Sequence, residues 1–98
     1  MYTITQHTRD AAKRIGVVVR PSKLKGKKID VFKDGKKVAS VGAVGYGDFG
    51  TFLKTLGPIK AARRRRAYLR RHSTEPKTKM VDGRKVRTPS YYADTILW

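Results

Sequence analysis

The feature that most constrains the fold is the Asp-Gly pair at positions 34 and 35, which separates two β-prone runs, residues 29–33 and 36–41. An Asp-Gly pair supplies the positive φ angles that a two-residue type I′ turn requires. The two runs are therefore predicted to form an antiparallel β-hairpin.

Pairing across this turn sets Val31 opposite Val38 and Phe32 opposite Lys37. In that register each face of the hairpin carries some apolar side chains, because β-branched residues fall on both. We therefore expect other elements to cover the hairpin on both sides.

A similar pattern occurs later in the chain, where Asp82-Gly83 is again followed by two cations and a valine, Arg84-Lys85-Val86. Residues 74–89 are otherwise polar and basic, with a proline at each end of the segment. The segment is predicted to be either a flexible connector or a second, shorter hairpin.

Short helices are predicted beside these hairpins. One is expected to follow Thr8 as its cap and to stop at Gly16, and another to span residues 51–56. With 98 residues the chain is long enough for one modest core, so residues 1–98 are read as one small basic domain. The predicted fold is α+β: a small twisted antiparallel sheet with one main basic amphipathic helix and short flanking helices.

The main helix is predicted over residues 59–72, directly after Pro58, whose fixed φ suits a first helical position. No acidic residue occurs between Asp48 and Glu75. At about 100° per residue, one arc of this helix is cationic and the opposite arc carries the apolar residues. That apolar arc consists of Ile59, Ala61, Ala62, Tyr68 and Leu69, and Arg65, Arg66 and His72 fall on the same side of the helix. The helix is expected to pack on the sheet through Ile59, Ala62, Tyr68 and Leu69.

The charge of the chain favours a polyanionic partner. The sequence contains 24 Lys and Arg against 7 Asp and Glu, a formal net charge of +17. A charge run on a helix is usually a solvated face, but such a face normally carries carboxylates at i+4, and these are missing here. We therefore expect sequence-independent phosphate contacts, with duplex DNA as the expected partner.

The candidate nucleic-acid-binding residues come from the main helix and from the basic loop before the first hairpin. They are Lys60, Arg63, Arg64, Arg65, Arg66, Arg70 and Arg71, with Lys23, Lys25, Lys27 and Lys28. A second set of aromatic residues is available for stacking on unpaired bases. Its members are Tyr46, Phe49, Tyr91 and Tyr92, for each of which core packing is the alternative.

The sequence gives little indication of catalysis or of metal or cofactor binding. There is no Cys, and His7 and His72 have no metal-ligating or acid-base partner nearby in sequence. Residues 45–50 match G-x-G-x-x-G, but no βαβ unit with a following acidic residue surrounds them. We therefore expect a non-enzymatic protein without metal or cofactor. No apolar run approaches the roughly 20 residues needed to span a bilayer, so no membrane partner is expected.

Several stretches together resemble a family of small basic proteins encoded by nucleocytoplasmic large DNA viruses. The stretches are residues 31–37, residues 45–49, Arg65 with Tyr68 and Arg71-His72, and residues 91–94 with Leu97-Trp98. The resemblance runs from Lys27 to Trp98, and the connector between Thr74 and Thr88 varies. It implies no catalytic residues. It implies a viral and virion-associated context, in the virion itself and in the host nucleus or a cytoplasmic virus factory.

Three functions follow from these observations. The first is a packaged protein that neutralises and condenses viral DNA. The second is a minor capsid or inner-shell component, whose positive surface meets acidic capsid proteins and whose apolar C-terminal residues dock on a partner. The third is RNA or ribosome binding. Phosphate affinity is common to all three, so the sequence leaves them open.

Overall fold

The structure, a computed structural model, describes residues 2–98 and confirms a small α+β fold. Its elements, in chain order, are α1 (Gln6–Arg14), β1 (Val18–Pro21), β2 (Lys27–Lys33), β3 (Lys36–Ala43), α2 (Phe49–Leu56), α3 (Pro58–Arg71), β4 (Thr78–Val81), β5 (Arg84–Arg87), α4 (Pro89–Tyr92) and a π-helical turn (Ala93–Leu97). Strands β1, β2 and β3 form one antiparallel sheet in that order, and β4 and β5 form a separate pair.

The hairpin around Asp34-Gly35 is confirmed. Both residues have positive φ, 52° and 78°, as a type I′ turn requires. Phe32 pairs with Lys37 as expected, but Val31 pairs with Ala39 rather than with Val38. The predicted register is therefore wrong by one residue beyond this point.

The physical reason is a β-bulge between Val31 and Phe32, which leaves Val38 without a partner. Beyond the extra residue, the side chains of β3 exchange faces relative to a regular hairpin. Ala39 therefore lies beside Val31 on the buried side of the sheet, while Val38 is 41% exposed. The bulge thus joins two apolar sets that a regular hairpin would have placed on opposite faces.

Residues 78–87 adopt the hairpin alternative. Asp82 and Gly83, with φ of 50° and 76°, repeat the turn of the first hairpin and connect β4 to β5. All four residues of β4 are exposed, so this second hairpin contributes little to the core.

The core lies between the sheet, α1 and the C-terminal residues. Ile29, Val31 and Val41 of the sheet belong to one buried cluster with Ile96 and with other apolar residues, Ala11, Ala12, Leu97 and Trp98 among them. The apolar residues 96–98 therefore complete the core of the chain itself.

Helix α3 packs against α2 and not on the sheet, which corrects the expected arrangement. The buried side of α3 is also different from the predicted apolar arc. Ala61 is buried, but Ile59 is 73% exposed and Ala62 is exposed as well. The side of α3 that faces inward carries Ala61 and the half-buried Tyr68, with the exposed Arg64 and Arg65 at its edges.

Aromatic rings account for this rotation. The guanidinium of Arg64 lies 5.3 Å from the ring centroid of Phe52, and that of Arg65 lies 5.5 Å from the centroid of Phe49. Tyr68 stacks on Trp98 at 4.3 Å. Cation–π and aromatic contacts of this kind stabilise a helix face that a hydrophobicity pattern reads as polar.

Helix α1 begins earlier than expected, because Thr5 and not Thr8 is its N-cap. The Thr8 backbone N–H donates to Thr5 Oγ1 at 3.3 Å, which satisfies one free donor of the first turn. Gly50 of α2 allows close approach here, since a Cβ at this position would lie 2.2 Å from Thr5 Oγ1.

Candidate polyanion-binding surfaces

The outer side of α3 carries a row of arginines. Arg63, Arg66 and Arg70 are separated by three and four residues, so they share one face, opposite to Ala61 and Tyr68. All three are exposed. We call these three residues the outer arginine row. Lys60 and Arg71 are also exposed and lie at its side.

Arg64 and Arg65 are exposed too, but they occupy the flank that faces α2, over the rings of Phe52 and Phe49. Ring contact restrains their side chains and leaves guanidinium N–H groups able to donate to a ligand. The seven predicted cations of the helix therefore do not form one surface. They divide between the outer arginine row with its neighbours and a restrained pair.

Carboxylates of the chain do not neutralise this helix. Within residues 2–98, the Lys and Arg side chains that pair with a carboxylate are Lys28, with Asp48, and Lys77, with Asp94. Neither belongs to α3. Glu75, which follows the helix, instead accepts from His72 Nδ1 at 2.7 Å and from Ser90 Oγ at 2.7 Å.

Of the four remaining acidic side chains, one is buried in the sheet, two lie in turns, and the exposed Asp10 accepts from Gln6 Nε2 at 2.8 Å. Asp30 is buried in the sheet and accepts hydrogen bonds at 2.6 Å from Ser22 Oγ and from Ser40 Oγ. Burial would raise the pKa of Asp30, but these bonds and the Lys23 backbone N–H outweigh it, and its pKa is lowered. Asp34 and Asp82 lie in the two hairpin turns.

Lys28 must be removed from the predicted binding set. Its side chain is 4% exposed, and its Nζ donates to Asp48 Oδ2 at 3.0 Å. Asp48 also accepts from the Tyr2 hydroxyl at 2.5 Å and, through Oδ1, from the Thr51 backbone N–H at 2.9 Å. Asp48 is thus the N-cap of α2 and the partner of a buried cation, so Lys28 holds the fold together and does not reach a ligand.

This cluster keeps Asp48 ionised. Burial alone would raise the pKa of Asp48, but hydrogen bonds from Tyr2, Thr51 and Lys28 hold it below its usual range. The other lysines of the basic loop, Lys23, Lys25 and Lys27, are exposed as expected.

The aromatic candidates have different positions. Tyr46 is 76% exposed on the loop before α2. Tyr91 is half-buried, with the Arg87 guanidinium 4.3 Å from its ring centroid. Tyr92 is 4% exposed and belongs to the core, so its assignment as a base-stacking residue is wrong. Phe49 is covered on one side by His7, with ring centroids 4.7 Å apart.

A second basic surface, which the sequence reasoning missed, lies between the two hairpins. An open groove of about 810 Å³ separates the tip of β2–β3 from β4–β5. Six cations line it, Lys33, Lys36, Lys79, Arg84, Lys85 and Arg87, together with one carboxylate, Asp34. A sequence signal existed, because basic residues flank both Asp-Gly turns, but only the fold brings residues of the two hairpins to one groove.

A third feature is an open pocket of about 610 Å³ between the loop that carries Tyr46 and the inward side of α3. Aromatic side chains line it, among them Tyr46, Phe52, Tyr68 and Trp98. Burial, followed by the carboxylates of Asp94 and Glu75, raises the pKa of Tyr68 to about 12. Lys27, Arg64 and Arg71 supply positive charge, and the lining residues include no Asp or Glu.

In the part of the chain that the structure describes, no three His, Asp or Glu side chains lie close enough to hold a metal ion. Likewise, no helix within residues 2–98 has the length and apolar character to cross a membrane. Comparison of the chain with known protein families, with curated proteins and with solved structures finds no match.

Proposed function

We propose that this protein binds nucleic acid, with duplex DNA as its main partner, through sequence-independent contacts to phosphates that neutralise and condense the polymer. One observation carries the proposal. The outer arginine row is exposed, and no residue of 2–98 offers it a carboxylate.

The spacing of the row suits a polymer of regular charge. From Arg63 to Arg70 the helix advances about 10 Å, at about 1.5 Å per residue. Duplex DNA carries about six phosphate charges over that length, so each arginine has a phosphate within reach. Phosphates bound along the row would offset the mutual repulsion among the arginines.

Sequence-independent binding follows from the type of contact. Arginine and lysine contacts to phosphate position a protein on nucleic acid without reading bases. The groove between the hairpins adds a second set of cations, so one molecule presents more than one basic surface and can bring separate DNA segments together. Condensation of DNA requires bridging of this kind or extensive neutralisation of charge.

The sequence resemblance to viral proteins extends the proposal to packaging in a virion. Within the host cell, the protein would then occur in the nucleus or in a cytoplasmic virus factory. The minor capsid alternative loses part of its support, because Ile96, Leu97 and Trp98 are buried in the protein's own core rather than exposed for docking. RNA is the alternative partner, and the experiment below tests it against duplex DNA.

The test is a salt titration of binding by the wild-type protein, with fluorescent duplex DNA of random sequence, and with structured RNA as competitor. If six phosphates are neutralised, affinity should fall about 2,000-fold between about 50 and 200 mM monovalent salt. Affinity that does not change over this range would refute the proposal. Stronger competition by RNA than by duplex DNA would instead identify RNA as the partner.

A further inference from the structure

The pocket of about 610 Å³ differs from the other basic surfaces in being lined with aromatic rings. Its volume falls within the range of about 300 to 1,000 Å³ that is usual for small-molecule sites. A base within a duplex can enter a site of this kind only by leaving its pair and the stack. The pocket therefore suits a ligand of the size of one nucleotide.

The inner wall of the pocket is rigid. Trp98 and Tyr68 stack with ring centroids 4.3 Å apart and an interplanar angle of 11°, and Tyr68 stacks in turn on His72 at 4.2 Å. Phe52 lies 5.8 Å from Trp98. Because these rings support one another, the wall is formed before any ligand arrives.

Tyr46 forms the opposite side and is the one aromatic residue of the lining with a largely free ring, 76% exposed. Gly47, the next residue, lies tightly against α2, since a Cβ there would come within 2.2 Å of the Phe52 ring. The glycine thus allows the loop to approach α2 and places Tyr46 at the pocket mouth. A free planar ring beside an apolar wall is the usual platform for an unpaired base.

The charge around the pocket has the sign that a phosphate requires. Lys27 and Arg71 are exposed, and neither pairs with a carboxylate within residues 2–98. Lys28 is also a lining residue, but its charge is already matched by Asp48. Lys27 and Arg71, together with Arg64 over the Phe52 ring, favour a ligand that is flat at one end and anionic at the other.

We propose that this pocket takes one unpaired nucleotide of a single strand, with the base against Tyr46 and the adjacent phosphates on Lys27 and Arg71. The proposal rests on the proposed nucleic-acid binding and deepens it. Duplex DNA is held by its phosphates on the outer arginine row, whereas a strand end or an unwound segment is also held by a base.

Trp98 is the single tryptophan of the chain and lines the pocket, so its fluorescence reports occupancy. The probes are a short oligodeoxyadenylate strand, an abasic strand of equal length, and a duplex. The abasic strand keeps the phosphates and removes the bases. The variants are Tyr46→Ala and a matched control, Val44→Ala, which removes an exposed apolar side chain from the same loop but outside the pocket.

We expect the oligodeoxyadenylate to change Trp98 emission and to bind more tightly than the abasic strand. Tyr46→Ala should weaken oligodeoxyadenylate binding about tenfold, with no effect on the abasic strand or the duplex. Val44→Ala should leave all three affinities unchanged. Circular dichroism would check that both variants keep the wild-type fold, as expected for exposed positions.

Two results would overturn the inference. Equal affinity of wild-type protein for the two single strands would show that the base contributes nothing. Equal weakening of both strands by Tyr46→Ala would show that the tyrosine does not contact the base. Either result leaves the proposed duplex binding intact, whereas failure of every probe to bind at low salt removes both proposals.

Discussion

Replacing the outer arginine row by glutamine should change how strongly DNA binding depends on salt. The variant is Arg63→Gln, Arg66→Gln and Arg70→Gln together. Glutamine is a good helix former and these side chains are exposed, so α3 should persist. If each arginine neutralises one phosphate, the slope of log K against log salt should become less negative by about 2.7.

This slope has a measurable consequence. The ratio of wild-type to variant affinity should fall about 40-fold as salt rises from about 50 to 200 mM, because a difference of about 2.7 in slope acts over a fourfold change in concentration. Fluorescence anisotropy with a random duplex would measure both slopes. Urea unfolding, monitored by circular dichroism, would check that the variant has wild-type stability.

A matched control separates position from total charge. Lys79→Gln, Arg84→Gln and Lys85→Gln remove the same charge from the groove between the hairpins. A slope difference of less than about one for the α3 variant, with a larger difference for the groove variant, would refute the assignment of the outer arginine row and move the DNA site to the hairpins.

Three further predictions concern the fold. Asp48→Ala should lower the free energy of unfolding by about 3 to 5 kcal/mol, because it leaves Lys28 buried without a counterion and removes the N-cap of α2. Urea unfolding measures this loss, and a loss below about 1 kcal/mol would contradict the prediction. Ile96→Ala should lower the free energy of unfolding by about 2 to 5 kcal/mol, since this side chain is fully buried. Ile59→Ala should lower it by less than about 0.5 kcal/mol, since this side chain of α3 is exposed. Equal effects in thermal unfolding would contradict the exposed position of Ile59. The pKa values of Asp48 and Asp30 are lowered in the folded protein. The two carboxylates therefore stabilise the fold above their unfolded pKa of about 4, and this stability is lost as pH falls from there through the folded pKa values. A free energy of unfolding that rises as pH falls through this window would contradict the lowered pKa values.

Local rules accounted for the two turns. Asp34-Gly35 and Asp82-Gly83 both adopt the positive φ angles expected of type I′ turns, because turn geometry depends on a few neighbouring residues. The helix after Pro58 was predictable for the same reason. The bulge at Val31 was not, since it depends on which face of β3 the rest of the core covers.

The candidate site was predicted only in part. Charge counting identified the arginines of α3, but it also included Lys28, whose buried partner Asp48 lies 20 residues away. It also placed Arg64 and Arg65 in one binding set with the outer arginine row. A hydrophobicity pattern has no term for an arginine over an aromatic ring, so the rotation of α3 could not be inferred from it.

By itself, then, the sequence determined the turns, the class of fold and the large excess of cations, because these depend on short segments or on composition. Only the tertiary structure decided which cations remain available, by pairing Lys28 with Asp48 and turning the outer arginine row toward solvent. It also placed the C-terminal Trp98 beside Tyr68 to form the wall of a pocket. Such contacts join residues far apart in the chain, and they are set by the packing of the whole core.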